Sequence, residues 1–474
     1  MRRRSNLAAN VDWLTIFLWL MLVVFGWMNV YSANFMSGDG TIVDFSQRYG
    51  KQMIWVGFSI LMIVIIFILD AKFFSFFAYA LYGIILILLI SLFIFGKEIN
   101  GARSWFVLGS FQFQPSEFAK PFTALALARL VSSYGFSLRK FRHLVAAFSV
   151  IFLPAVLIML QPDLGSTMVY FAFLFVLYRE GFSQNTMILG ASLVLLFILT
   201  LLIDKSLIIL AVWVVSLSLF AMLIGMRTVF LGMILPGLAL FGSIYALNHF
   251  LDLELSVYNI TVFSFIGITL LKIILTVRAR KPEMYKVLAG MVIAVVFVIS
   301  VDYAMNNILK EHQRQRILVT LGVENDPQGV GYNLNQSKIA IGSGGFSGKG
   351  FLNGTQTKLQ FVPEQSTDFI FCTVGEEWGF VGTSIVVVLF IIRIIKLILL
   401  AERQRSHFSR VFGYGLVAVI FIHFLVNIGM TIGLLPVIGI PLPFFSYGGS
   451  SLMAFTLFLF IFLKLDSNRK ELLR

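Results

Sequence analysis

Three things are scarce in this chain. Cys372 is the only cysteine among 474 residues, so no internal disulfide can form; it sits in an apolar run that reads as packing. Charge is thin as well. Asp, Glu, Lys and Arg make up 12% of the sequence, against about a quarter in a soluble domain, which excludes an ordinary soluble globule. Familiar ligand motifs are the third absence. The five histidines are scattered, with no H-E-x-x-H pair, and GSGGFSGKG at 342–350 does not have the P-loop spacing. No basic soluble module accompanies the net charge of +13, so nucleic acid is not the expected partner.

Apolar sequence dominates what remains. Hydrophobic residues are 59% of the chain, and 50 of them are phenylalanine. Runs of about 20 apolar residues match the length a helix needs to cross a hydrocarbon core of about 30 Å. Helices are the expected spans because lipid offers free backbone groups no partner. Fourteen spans are predicted near 12–32, 50–69, 74–95, 116–134, 144–160, 165–178, 185–203, 206–225, 228–248, 256–276, 286–306, 369–392, 410–434 and 447–464. The span at 116–134 starts polar and that at 165–178 is short. The N-terminus resembles a signal peptide, but its apolar run exceeds the 7–15 residues of such a segment and reads as a retained first span. The fold class is an all-α polytopic membrane protein of about fourteen transmembrane helices.

Short-loop charge sets the orientation. With the N-terminus inside, the even-numbered connections carry Lys72; Arg139, Lys140 and Arg142; Arg179; Arg227; Arg278, Arg280, Lys281 and Lys286; and Lys396, Arg403, Arg405 and Arg410. Both termini are basic too. Positive charge gathers on the cytoplasmic side, which puts both termini there. It puts the one long polar stretch, 322–368, outside, between spans eleven and twelve.

Basic residues on that outer side serve no topological purpose: Arg48, Lys51, Arg103, Lys310, Arg314, Arg316, Lys338, Lys349 and Lys358. Individually each reads as solvated surface. As a set on one face they suit an anion, since Lys and Arg are the usual phosphate partners. The external segment 96–118 mixes Trp105, Phe106 and Phe111 with turn residues and fits the membrane interface. Glu117 and Lys120 stand at i and i+3, on one helix face, as a structural pair or a functional one. Asp163, after a helix-breaking Pro162, either caps the next span or lines a cavity. Glycines 342–350 are candidates for a backbone anion nest. Glu376 and Glu377 stand where a helix start favours acids.

These residues together form a pattern. Arg103-Ser104-Trp105, Gln114-Pro115-Ser116-Glu117 with Lys120, Gln161-Pro162-Asp163-Leu164-Gly165, the 314–379 stretch and Pro443-Phe444-Phe445-Ser446-Tyr447-Gly448-Gly449-Ser450 resemble the SEDS family of shape, elongation, division and sporulation proteins. GKGFLNGTQTKLQFVPEQSTDFIF looks like its RodA branch rather than its FtsW division branch. The resemblance covers roughly 12–180 and 307–466. It implies a peptidoglycan glycosyltransferase that polymerises lipid II at the outer face of the bacterial cytoplasmic membrane during cell elongation. It also implies a class B penicillin-binding protein as transpeptidase partner, within a larger elongation complex, and Asp326 as the essential carboxylate. The family typically has ten spans, so residues 186–306 look like a four-helix insertion. An even number of added helices keeps the 322–368 loop outside. The implied organisation is an N-terminal core part at 1–180, the inserted helical region at 181–306, an extracytoplasmic loop at 307–368 and a C-terminal core part at 369–474.

The reaction then assigns roles. A sugar hydroxyl attacks an anomeric carbon, and a polyprenyl pyrophosphate leaves. A carboxylate acting as general base is worth roughly 10²–10⁴-fold. Pyrophosphate leaves without being protonated, so an inverting displacement needs one carboxylate. Asp326, before Pro327 and among glycines, fits a turn-initiating residue on its local sequence; the resemblance makes it the base. Lys51, Arg103 and Lys120 are expected at the pyrophosphate, with Glu117 orienting Lys120. Lys338 balances Asp326 or touches phosphate. Asp163, Gln336, Ser337, Glu364 and Asp368 support the loop or hold a cation. A divalent cation such as Mg²⁺ is compatible with phosphates and one or two carboxylates; no organic cofactor is expected. A lipid II flippase or other transporter, and a non-enzymatic scaffold, are the competing readings.

Overall fold

The structure is a computed structural model. It describes residues 10–35, 44–99, 101–109, 111–251, 256–279, 282–308, 314, 318, 331–359, 361–435 and 437–469. Asp326, Lys310 and Arg316 lie outside the described residues. The chain divides into two compact units, one of residues 1–183 with 326–474 and one of residues 184–325.

The first unit begins with α1 (Trp13–Asn34), capped by Asp12, whose carboxylate accepts the Thr15 amide. Next come α2 (Arg48–Ile68), the short α3 (Ala71–Phe76) and α4 (Ala78–Phe95). A small antiparallel sheet follows: β1 (Lys97–Ile99), β2 (Ala102–Leu108) and β3 (Phe111–Phe113). The interface segment is therefore a three-stranded meander, and the all-helical expectation needs this one correction. Its cause is local: Trp105, Phe106 and Val107 favour strands, and turns at 101 and 109 reverse the chain. Then come α5 (Pro115–Val131), α6 (Phe141–Met159), and α7 (Leu164–Val169) running through a 3₁₀ turn into α8 (Phe173–Arg179).

Past the second unit the chain forms α15 (Tyr332–Ser343), α16 (Thr355–Lys358), α17 (Ile370–Glu402), α18 (His407–Ile432) and α19 (Gly449–Ser467). The second unit supplies the labels between: α9 (Gln184–Leu202), α10 (Lys205–Ile224), α11 (Met226–Val229), α12 (Leu235–Phe250), α13 (Val257–Ala279) and α14 (Pro282–Tyr303). A π-helical turn, Phe230–Ile234, joins α11 to α12.

Among the described residues, 12 helices are long and apolar enough to cross a membrane. The two expected spans not among them are α5 and the broken α7–α8. At 17 residues α5 is short and polar at its start, yet most of its residues are buried, including Glu117 and Lys120. It is an inner helix shielded from lipid by its neighbours. The outward faces of other helices carry Phe17, Ile87 and Ile94, all more than half exposed, as lipid-facing side chains are.

The 33 residues of α17 would measure about 50 Å if straight, well beyond a hydrocarbon core. The helix breaks at Gly379 (φ 63, ψ −157), a conformation open to glycine alone. Loop backbone makes good the lost helical bonds: Phe380 N–H donates to Gly345 O at 2.9 Å and Val381 N–H to Phe346 O at 3.1 Å.

Candidate functional site

The centre of the first unit is the connection 433–448 between α18 and α19. It turns back into the bundle, since Ile440, Leu442, Phe444 and Phe445 are all buried. Gly433 ends α18 in the left-handed region (φ 81), and any Cβ there would lie 2.3 Å from Lys338 Cε. Side chains expected from the sequence to matter converge on this segment from several elements.

Glu117 and Lys120 do pair. Lys120 Nζ lies 2.6 Å from Glu117 Oε1 and 3.0 Å from His423 Nε2. His423 Nδ1 lies 3.0 Å from Pro441 O, which fixes the tautomer: Nδ1 donates to the carbonyl and Nε2 accepts from Lys120. All three side chains are buried. The ammonium also stands over the Phe455 ring, 5.5 Å from its centroid. A crevice with no room for a water molecule lies beside the pair, lined by Glu117, Lys120, Pro121, Ala454, Phe455 and Phe458. Glu117 Oε2 has no hydrogen-bond partner among the described residues. In this state Lys120 is engaged by protein groups.

Asp163 caps α7. Its carboxylate accepts Ser166 N–H at 2.9 Å and Ser166 Oγ–H at 2.8 Å, and takes Gln114 Nε2–H at 3.2 Å. Gln114 N–H reaches Ser450 Oγ at 3.0 Å. Ser116 and Ser166 hydroxyls stand 3.5 Å apart. A polar track thus joins the sheet, α5, α7 and the start of α19.

Asp368 is partly buried just before α17. Its carbonyl accepts Asn427 Nδ2–H at 2.8 Å, and the same nitrogen donates to Ile440 O at 2.7 Å. Burial, with the nearby carboxylates of Glu364, Asp163 and Glu117, pushes its carboxyl up to about 7. Among the described residues, no three His, Cys, Asp or Glu side chains are grouped to hold a metal ion.

Glu364 (φ 50) is half exposed, pairs with Arg48 at 3.3 Å and accepts Thr367 Oγ1–H at 3.1 Å. Arg48 also donates to Ser366 Oγ at 2.8 Å. Ser337 is buried and donates to Thr431 O at 2.6 Å, tying α15 to α18. Gln336 is half-buried on α15.

The cations expected on the outer side sort into two groups. Arg48 has Glu364; Lys349 has Glu376 at 2.7 Å; Lys358 stands 6.0 Å from the Phe35 ring centroid. Lys51, half-buried on α2, and Arg103 and Lys338, both exposed, have no acidic partner among the described residues. These three remain open to a ligand anion.

The glycine-rich stretch is not an open nest. Lys349 N–H donates to Glu376 O at 3.0 Å and Gly350 N–H to Glu377 O at 2.9 Å. The fully buried Glu376 carboxylate accepts the amides of Thr355, Gln356 and Thr357 at 2.7–2.9 Å. It stabilises a helix start, but that of α16 rather than its own. Glu377 accepts the Ser32 hydroxyl. The two acids pin the 349–357 loop to α1 and α17.

Sequence reasoning missed His423, Asn427 and the re-entrant 433–448 segment. An ionisable His in the apolar run of α18 was the available signal, because such a residue inside a span marks a polar site or pairing.

The fold and site define a polytopic membrane protein whose polar centre is built where an apolar connection re-enters a helix bundle. The family model for the FtsW/RodA/SpoVE cell cycle proteins matches residues 12–219 and 261–471; the chain belongs to this family. The unmatched 220–260 falls inside the second unit. Peptidoglycan glycosyltransferase RodA of Treponema pallidum is 31% identical over 450 residues, 94% of each chain. Peptidoglycan glycosyltransferase MrdB of Escherichia coli is 31% identical over 385 residues, covering 81% of this chain and 76% of its own length. Two solved structures share the fold. One is a chain of a peptidoglycan synthase complex (TM-score 0.64, 24% identity, 97% of this chain and 98% of that one). The other is the Thermus thermophilus rod shape determining protein RodA (TM-score 0.55, 23% identity, 97% of each).

Proposed function

We propose that the chain is a peptidoglycan glycosyltransferase that polymerises lipid II into glycan strands at the outer face of the cytoplasmic membrane, in cell elongation and shape maintenance. The observation carrying this reading is its likeness, over 94% of its length, to an enzyme named for that activity.

In this reading Asp326 takes the proton of the attacking sugar hydroxyl as that oxygen closes on the anomeric carbon of a second lipid II. The bond to the pyrophosphate oxygen breaks on the opposite face, and configuration inverts. Negative charge grows on the leaving pyrophosphate. Lys51, Arg103 and Lys338, which have no acidic partner among the described residues, are the side chains proposed to meet it; preorganised cations lower the cost of such charge. Glu117, Lys120 and His423 form the buried support behind the re-entrant segment. A divalent cation enters this account only as one brought by the pyrophosphate itself. Loop charge supports cytoplasmic termini and an outward-facing reaction site. The partner proposed is a class B penicillin-binding protein that crosslinks the strands, with other elongation-complex proteins around it.

The test uses the purified full-length chain in lipid vesicles with lipid II. Polymer is the expected product. Lipid II crossing the bilayer without polymer favours the flippase. Neither activity, with the transpeptidase still bound, favours a scaffold.

A further inference from the structure

Arg393 plays no part in the site above, yet among the described residues it is the largest fully buried side chain. It sits on α17 nine residues before Glu402, about 14 Å along the helix, too far for its guanidinium to reach the helix end. Its neighbours Ile391, Ile392 and Ile395 are exposed on the apolar face, so Arg393 points into the bundle. None of its three guanidinium nitrogens has a hydrogen-bond partner among the described residues. What it has is a ring: Arg393 Cζ lies 3.9 Å from the centroid of Phe444. A charged side chain inside a span is costly and calls for a reason.

Phe444 supplies one. It belongs to the re-entrant segment and holds a left-handed backbone, φ 67, which a bulky residue keeps only when its surroundings enforce it. One ring face is covered by Arg393. The ring also meets Phe455, centroid to centroid 5.8 Å. Phe455 in turn packs edge-on against His423 at 4.8 Å and lies under Lys120. The segment's Pro441 O orients His423, which holds Lys120. A continuous set of contacts therefore runs from Arg393 through Phe444 to Glu117 and Lys120.

We propose that Arg393 is a positioning residue: its guanidinium, stacked on Phe444, clamps the 433–448 segment in the form that fixes His423, Lys120 and Glu117. Its catalytic consequence rests on the glycosyltransferase reading; the clamp itself does not. A guanidinium is suited to this because it is flat, permanently charged and stacks on aromatic faces, which an ammonium does not match.

Two measurements on the full-length protein test this. The first is hydrogen exchange of the amides of 437–447. Arg393→Met is expected to speed exchange there at least tenfold while the middle of α18 stays protected. Phe444→Leu is expected to match it, and the double variant to be no worse than either single. Phe444→Tyr, which keeps the ring face, is expected to behave like the wild type. The second is polymerisation: Arg393→Met is expected to lower kcat about tenfold with KM unchanged, and Arg393→Lys to recover only part of it. Unchanged exchange in a folded Arg393→Met protein, or additive effects of the two substitutions, overturns the clamp. If Arg393→Met does not fold, Arg393→Lys and Phe444→Leu carry the same comparison. A wild type that exchanges as expected but makes no polymer defeats the functional reading and leaves the clamp standing.

Discussion

The two units treat buried polar groups differently. In 184–325, Thr200, Ser216, Thr261 and Ser264 each donate to a carbonyl three or four residues back in their own helix, at 2.6–2.8 Å. Such bonds satisfy a hydroxyl without asking anything of a neighbour. In the other unit comparable groups reach across the chain: Ser337 to Thr431 O, Ser32 to Glu377, Ser450 to Gln114 N, Lys120 to His423. Among the described residues of the second unit, Lys272, which donates to Ser216 Oγ at 2.5 Å, and the Lys205–Asp302 ion pair are long-range exceptions. One unit is built as helices in lipid are built. The other has its elements held in register by polar contacts, as a site must be.

Breaking the buried Glu117–Lys120 pair is expected to have the largest effect. Glu117→Gln strands the Lys120 cation, and Lys120→Met strands the carboxylate; either is expected to cost roughly 3–5 kcal/mol. The double variant should recover much of that, because no unpaired buried charge remains. Thermal unfolding in detergent reads all three. Smaller are the open cations. Lys51→Ala and Arg103→Ala are each expected to weaken polymerisation about tenfold, a single charged hydrogen bond being worth roughly 1.5–3 kcal/mol, with unfolding temperature unchanged. Steady-state assays over a range of lipid II concentrations check this.

Asp368 gives a pH signature. Its carboxyl is raised from 3.8 to about 7, so the folded protein binds that proton more tightly than the unfolded chain. Its contribution to stability therefore falls as pH rises from about 4 to about 7, and is level above that. Asp368→Asn removes the dependence. The variant's unfolding temperature should gain on wild type between pH 5 and pH 7 by a few degrees, about 2 °C per kcal/mol, and by no more from pH 7 to pH 8. The smallest effect belongs to the second unit: Ser264→Ala should lie within about 0.5 kcal/mol of wild type, with polymer yield untouched. A large loss there would erase the contrast between the units.

Much of this was readable from residue order. Apolar runs marked the helices, and a polar start such as Pro115-Ser116-Glu117 marked α5 as unusual. Spacing alone paired Glu117 with Lys120. What could not be read were contacts between distant positions. The stretch 434–445 looks like an apolar connection, because nothing local says that Ile440 and Pro441 carbonyls will meet Asn427 and His423. Glu376 reads as an acid at a helix start, which is right in kind; that the start is Thr355–Lys358 depends on a fold bringing together residues about twenty positions apart. Lys349 reads as a free external cation until Glu376 is placed beside it. The strands at 97–113 were hidden by their brevity.

In the proposed reading this chain joins lipid II units with Asp326 as the base. The direct measurement is glycan polymer from purified wild type and from Asp326→Asn, at equal folded concentration, with lipid II as the sole substrate. Strands are expected from the wild type and a loss of at least 100-fold from the variant, the low end of what a general base contributes. Wild-type yield from Asp326→Asn would contradict that reading.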